Sequence, residues 1–372
     1  MQSVQSNTRL GELLQWCERR GVTDIHVQAG KPLVIRVQGK LQRIPENTYN
    51  PLPEDAIFLW LGENFSPELC AEIRNNREVD LSFYHSFQRY RANFSKQKGA
   101  QSFSFRIVPQ QRQKLSNLNL PASLHDLTRE PRGLILVTGP TGQGKSTTLR
   151  ALIQEMNENS ALRIVTIEDP IEYVFEDYQS QFEQREVGID TDTFASGIRN
   201  AMRQDPNVIF IGEIRDKDSI YAAMQAAETG HLILTTLHAD SVAQAIARIR
   251  EFYPTYEQDN ISNLLSRNLN AIICQRLIPS VGGSRIPALE IMKRDKGTQD
   301  AIQTNNLHLL NGIVEASVGQ GMHSFDQYII ELLSAGMITQ DVARHYSINK
   351  HRLDMLLRGI VTNASILKPD QR

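Results

Sequence analysis

Cysteine is scarce in this chain, with three in 372 residues: Cys17, Cys70 and Cys274. They stand far apart, so there is no C-x-x-C pair, no zinc knuckle and no disulfide framework. The spacing suits buried thiols in a reducing compartment. Long apolar runs are also missing. No uninterrupted stretch approaches the ~18–20 residues that a membrane helix needs. The opening MQSVQSNTRLGELLQW has neither the basic start nor the apolar run of a signal peptide. Net charge is nearly absent too. At −2, the chain has no overall basic field to draw it onto nucleic acid or an anionic membrane. It lacks a basic–aromatic stripe for single strands. These absences predict a cytoplasmic protein with no direct nucleic-acid contact, any membrane contact coming through partners.

What is present is ordinary globular composition, 40% apolar and 22% charged, at a length that accommodates two domains. No internal repeat or low-complexity tract occurs. Residues 8–20 have helical apolar spacing at Leu10, Leu13, Leu14 and Cys17. Residues 21–44 read as short strands, 52–76 as helix, and 79–108 as alternating strands with a turn near Lys98-Gly99. The pattern predicts an α+β domain over 1–108 with a mixed or antiparallel sheet. A linker follows over 109–130, its first part polar and weakly periodic. From Arg132 the pattern changes. The runs GLILVTG, RIVTIED, VIFIGEIRD and LILTTLHAD recur between helical stretches. Near-continuous apolar strands alternating with helices predict an α/β domain over 131–300, with a parallel sheet covered on both faces. Residues 257–277 and 300–360 read as helices, and 301–372 as a helical C-terminal region.

Residues 139–146 read GPTGQGKS. The preceding LILVTG is a buried-strand pattern, and STTLRALIQEM after it is a helix pattern. A phosphate loop requires that strand–loop–helix setting. Gly139, Gly142 and Gly144 let the backbone turn tightly, so the N–H groups from Gly139 through Pro140, Thr141, Gln143 and on to Thr147 can surround phosphate oxygens, proline itself having no N–H to give. The helix dipole adds to that field. Lys145 can reach the β/γ-phosphates of ATP, and the Ser146 hydroxyl can ligate Mg²⁺.

Three further strand ends narrow the chemistry. RIVTIEDPIEY ends in Glu168 and Asp169, with Glu172 three residues on. In an open parallel sheet, ligands bind beyond the carboxyl ends of the strands. Acids there suit metal ligation or water activation, although Asp before Pro is also a common helix start. NVIFIGEIRD carries Glu213 at its exit, where an acid can hold Mg²⁺ directly or through water. AAETGHLILTTLHAD sets His231 and His238 at either end of a fourth strand, as phosphate sensors or subunit-contact residues.

The ordered set GPTGQGKST, TIEDPIEY, RNAMRQDPNVIFIGEIRD and AAETGHLILTTLHAD resembles the four boxes of the secretion ATPase superfamily. They match its Walker A, Asp box, Walker B with Glu, and His box. TDIHVQAGKPLVIRVQGKL and RYRANFSKQKGAQSFSFRIVP are similar to the N-terminal segments of its PilT-like branch. The resemblance covers residues 8–300. It implies a PAS-like N-terminal domain, a RecA-like domain, and a homohexameric ring with ATP between the domains. It further implies Glu172 as the general base with Glu168 beside it. Lys145, Ser146 and Glu213 would serve phosphate and Mg²⁺, while Arg91 and Arg106 reach the nucleotide. The four-cysteine insert of the pilus-extension and type II secretion branch is absent.

The chain departs from the pilus-retraction pattern after EIM at 290–292. The segment DAIQTNNLHLLNGIVE lacks the arginines and acidic end of the AIRNLIRE-type motif. The resemblance therefore points first to DotB-like ATPases of type IVB secretion and conjugation, docked on secretion-core proteins. The alternative is a PilT-like pilus retraction motor on an inner-membrane platform. A nucleic-acid motor and a non-catalytic ring component remain as other classes. Near-neutral charge argues against the first, and the retained Glu172 and Glu213 argue against the second.

Overall fold

The computed structural model describes residues 9–357 apart from 38, 87 and 109–113. The start of the expected linker (109–113) and the end of the expected helical region (358–372) lie outside the described residues. The chain divides into two compact units. One comprises residues 1–111 with Pro170–Val174, and the other comprises Arg112–Asp169 with residues 175–372.

The first unit has helices α1 (Arg9–Glu18), α2 (Glu54–Asn64) and α3 (Pro67–Asn75). Its strands are β1 (Val22–Gln28), β2 (Val34–Val37), β3 (Lys40–Arg43), β4 (Glu78–His85), β5 (Gln88–Gln97) and β6 (Ala100–Ile107). They form one sheet in the order β3-β2-β1-β6-β5-β4. Every pairing is antiparallel, which is the second of the two arrangements the alternation allowed. The single helix expected over 52–76 is two. Phe65, in extended backbone, ends the first; Ser66 caps the second, its side chain accepting from the Leu69 N–H, and Pro67 takes the first helical position. Lys98 and Gly99 both have positive φ, 52° and 81°, the turn that matches strand twist between β5 and β6. Leu10, Leu13, Leu14 and Cys17 of α1 and Trp60 of α2 pack with Ile25, Tyr90, Phe94, Phe103 and Phe105 from one sheet face.

The second unit has strands β7 (Gly133–Thr138), β8 (Arg163–Glu168), β9 (Gln181–Glu186), β10 (Val208–Ile211), β11 (Leu232–Leu237), β12 (Leu269–Pro279) and β13 (Arg285–Lys293). The sheet order is β13-β12-β7-β11-β10-β8-β9. All neighbours are parallel except β12 and β13. Every position of β7 and β11 is buried, so both faces are covered, as their continuous apolar runs predict. Around them lie α4 (Lys145–Asn159), α5 (Phe194–Ala201), α6 (Lys217–Glu228), α7 (Val242–Glu251) and α8 (Gln258–Asn268).

Two strands correct the sequence reading. The helix expected over 257–277 stops at Asn268, and the chain passes straight into β12. Leu264, Leu265, Leu269, Ile272 and Ile273 satisfy a helical period, but pairing with β7 and β13 on both sides overrides it. The polar β9 was not expected at all, since as an edge strand it needs no apolar pattern. Residues 114–130 form two short 3₁₀ stretches, Leu115–Asn117 and Ala122–Arg129, that contact α4.

The C-terminal helices are α9 (Lys296–Gln303), α10 (Leu310–Ala316), α11 (Phe325–Ser334), α12 (Gln340–Tyr346) and α13 (Lys350–Leu357). Ile302, Leu310 and Val314 join the same core as Leu134, Leu136, Ile209 and Ile233, and α11 lies on β13. Cys17 and Cys274 are buried free thiols. Burial pushes the Cys17 thiol up to about 12, so neither its chemistry nor its position suggests a nucleophile. Among the described residues, no helix is long and apolar enough to cross a membrane.

Candidate nucleotide site

β7 ends at Thr138, and the loop that follows turns directly into α4. Gly144 caps that helix in the left-handed region, with φ 80°. The N–H groups of the first turn, Lys145, Ser146 and Thr147, have no carbonyl one turn back to bond, so the helix start offers donors and a positive dipole end together. Gly139 has φ 143°, and a Cβ there would lie 2.3 Å from the main-chain oxygen of Gln275. Gly139→Ala is therefore expected to combine backbone strain of ~1–3 kcal/mol with a clash that only main-chain movement relieves. The check is a thermal melt with an ADP titration, which should show lower stability and lost binding together.

Lys145 is buried within the loop. Its Nζ donates to the carbonyls of Gly139 at 2.7 Å and Pro140 at 3.0 Å. Burial pulls the ammonium below the ordinary lysine value, and the charge of Glu213 opposes that fall. Nζ also lies 3.3 Å from Nδ1 of His238, whose Nε2 is 3.0 Å from Oε1 of Glu213. An ammonium can only donate, so Nδ1 accepts and Nε2–H faces the carboxylate. Glu213 Oε2 meets Arg215 at 3.0 Å, and Arg215 stands 3.6 Å from Asp169. A chain of alternating charge thus crosses the carboxyl ends of β7, β11, β10 and β8, which are consecutive in the sheet.

Glu168, at the end of β8, is buried. Its Oε1 accepts from the Thr166 hydroxyl at 2.7 Å and from the Gln184 amide at 3.2 Å. Ser146 is exposed on the first turn of α4. Hydroxyl and carboxylate oxygens are the hard donors that Mg²⁺ takes. Ser146 and Glu213 therefore fit that ion, which would neutralise phosphate charge when bound.

Not every predicted residue joins this group. His231 sits at the amino end of β11, its Nδ1 2.9 Å from the carbonyl of Ala226. Six strand residues, roughly 20 Å of extended chain, separate it from His238. Glu172 belongs to Pro170–Val174, which groups with the first unit. Arg91 and Arg106 are also in the first unit, directly opposite one another on β5 and β6 and on the sheet face away from the helices. Arg106 bonds Asp24 at 2.7 Å, and Arg36 stands 3.6 Å from the same carboxylate. Partial burial pushes the Asp24 carboxyl up. Hydrogen bonds from Arg106 and Thr23 and both positive charges more than offset this, so it lies below the usual carboxylate value.

Sequence reasoning missed Gln275. It reaches the loop from β12, and its one signal is a polar residue inside the apolar run LNAIICQRLIP.

The family described as type II/IV secretion system protein matches residues 99–321. The chain belongs to that family. Within the secretion superfamily it falls in the PilT-like and DotB-like branch. The type IV pilus retraction ATPase PilT of Pseudomonas aeruginosa is 35% identical over 335 residues, covering 90% of this chain and 96% of that protein. A crystal structure of the pilus retraction motor PilT with bound ADP superposes with a TM-score of 0.84 at 36% identity, covering 93% of this chain and 98% of that one. The Legionella pneumophila ATPase DotB superposes at 0.77 with 27% identity, covering 93% and 97%. The antiparallel N-terminal sheet and the parallel phosphate-loop sheet of this secretion-family protein are thus a shared architecture.

Proposed function

We propose that this protein hydrolyses ATP with Mg²⁺ as the motor of a bacterial type IV machine. The observation that carries the reading is the Lys145–His238–Glu213 chain beside an open helix start, in a protein similar to two solved ATPases over 93% of its length. In this reading, residues 139–147 surround the phosphates, and Lys145 neutralises the β/γ oxygens. Ser146 and Glu213 hold Mg²⁺, with His238 keeping Glu213 oriented. Glu172 takes the general-base role and Glu168 supports it. Arg91 and Arg106 are assigned to stabilising charge on the transferred phosphate, an effect worth ~10³–10⁵ in other NTPases. His231 is assigned to subunit contact in a homohexamer. The domains are assigned as 1–108, PAS-like, and 131–300, RecA-like, with the linker at 109–130 and a helical region from 301.

Two machines fit the same site. The altered segment 300–315 favours a DotB-like secretion role, with secretion-core proteins as partners. The higher identity and TM-score to PilT favour pilus retraction on an inner-membrane platform. Both readings have the protein cytoplasmic and recruited to the membrane by partners, with no direct nucleic-acid contact. Disrupting the gene in its own host separates them, since loss of pilus retraction and loss of substrate export are different phenotypes.

The enzymatic test is Mg²⁺-dependent phosphate release by the purified chain. Glu213→Gln should leave nucleotide binding near normal while raising the Mg²⁺ concentration needed for half-maximal turnover. An unchanged Mg²⁺ curve would remove Glu213 from the metal site. Strong stimulation by single-stranded DNA would instead revive a nucleic-acid motor.

A further inference from the structure

The phosphate loop is held by a strand that its linear motif does not include. Gln275 lies mid-way along β12 and is 2% exposed. Its Nε2 donates to the main-chain oxygen of Gln143 at 2.8 Å, and its Oε1 accepts from the Thr148 hydroxyl at 2.7 Å. A carbonyl can only accept, so the amide nitrogen must face Gln143 and the oxygen must face Thr148. The contact is reciprocated. Oε1 of Gln143 accepts from the Leu277 N–H of the same strand at 2.6 Å. One side chain from the loop thus grips the strand backbone, and one side chain from the strand grips the loop backbone.

The location of these bonds matters. Gln143 stands between Gly142 and Gly144, whose φ values are 76° and 80°. Glycine on both sides gives the loop apex more freedom than any other pair of residues would. Left to itself, the apex would spend part of its time in shapes that do not gather its N–H groups. Apparent affinity falls by the fraction of time a competent shape is absent.

We infer that Gln275 and Gln143 are positioning residues that hold the loop in its phosphate-accepting shape before nucleotide arrives. This rests on the nucleotide site proposed above. Neither side chain needs to touch the reacting atoms. Once phosphates occupy the loop they bond its N–H groups themselves, and the two glutamines then add little. Their removal should therefore act on binding far more than on the chemical step, whereas a general loosening of the fold would lower both.

The test uses the full chain and two variants, Gln143→Ala and Gln275→Met. A fluorescent ADP analogue is titrated for affinity, and turnover is measured at saturating ATP. The expected result is an ADP Kd raised roughly tenfold in each variant, the scale of one or two net hydrogen bonds. The kcat of Gln275→Met should stay within about threefold of wild type. Unchanged ADP affinity in either variant, or a fallen kcat with affinity preserved in Gln275→Met, overturns the inference. If Gln275→Met fails to fold, the ADP affinity of Gln143→Ala, at a half-buried loop position, decides alone. A wild-type chain that binds no ADP would sink the nucleotide site itself, which is a different failure from variants that bind as tightly as wild type.

Discussion

Lys145→Ala is expected to abolish ATP turnover, a fall of at least roughly 10³-fold, while the fold persists. Removing one preorganised donor aimed at developing charge lowers rates by about 10²–10³ in other enzymes. Here the donor carries a full charge, and no neighbouring cation sits in the loop to replace it. The ammonium bonds two loop carbonyls and faces His238, so the variant also leaves Nδ1 of His238 without that donor and loosens the orientation of Glu213. The loop itself should keep its course. Its turns are made by glycines, and its apex is tied to β12 by Gln143 and Gln275. Phosphate release and a circular-dichroism melt, run on the same preparation, check both halves. Hydrolysis at the wild-type rate would overturn the phosphate-loop reading.

Glu172→Gln is the second large effect. The amide preserves size and removes the ability to take a proton from water. Turnover is expected to fall by roughly 10²–10⁴, the range for a positioned general base, while ATP binding stays near normal. Glu213→Gln should differ in kind, because its carboxylate is assigned to the metal and its defect should respond to added Mg²⁺. Comparing the two variants across a Mg²⁺ series tells base from ligand. If Glu172→Gln is the one rescued by Mg²⁺, the two roles must be exchanged.

The core of the second unit was legible because β7, β8, β10 and β11 are central parallel strands. Burial on both faces demands continuous apolar runs, and those are hard to mistake. β12 shares that burial but follows α8 without a glycine or proline between them, so nothing punctuates the change from helix to strand. β9 lies at the edge, and its sequence QFEQRE carries no strand signal beyond its aromatic residue. The site divides in the same way. The loop, Glu213 and His238 could be read in linear order because each follows a recognisable strand. Gln275 could not, since it is 132 residues from the loop position it holds. The strands of the first unit were readable from alternation, which left its sheet as mixed or antiparallel. That Arg91 and Arg106 face one another depends on register, which the tight turn at Lys98-Gly99 sets.

The close approach of Gly139 to Gln275 has a mechanical consequence. Side chains absorb small displacements by changing rotamer, and a contact made through them is compliant. Between Gly139 and β12 there is no side chain on the loop side, only backbone against backbone at a spacing that excludes even a methyl group. A shift of the loop toward β12 has nothing there to dissipate it. It must move the strand, and β12 is paired at nine successive positions with β13, on which α11 rests. The joint is stiff at its first link and broad at its second. A displacement of the loop toward β12 would therefore pass to β13 and α11 through main chain rather than through side-chain rotamers.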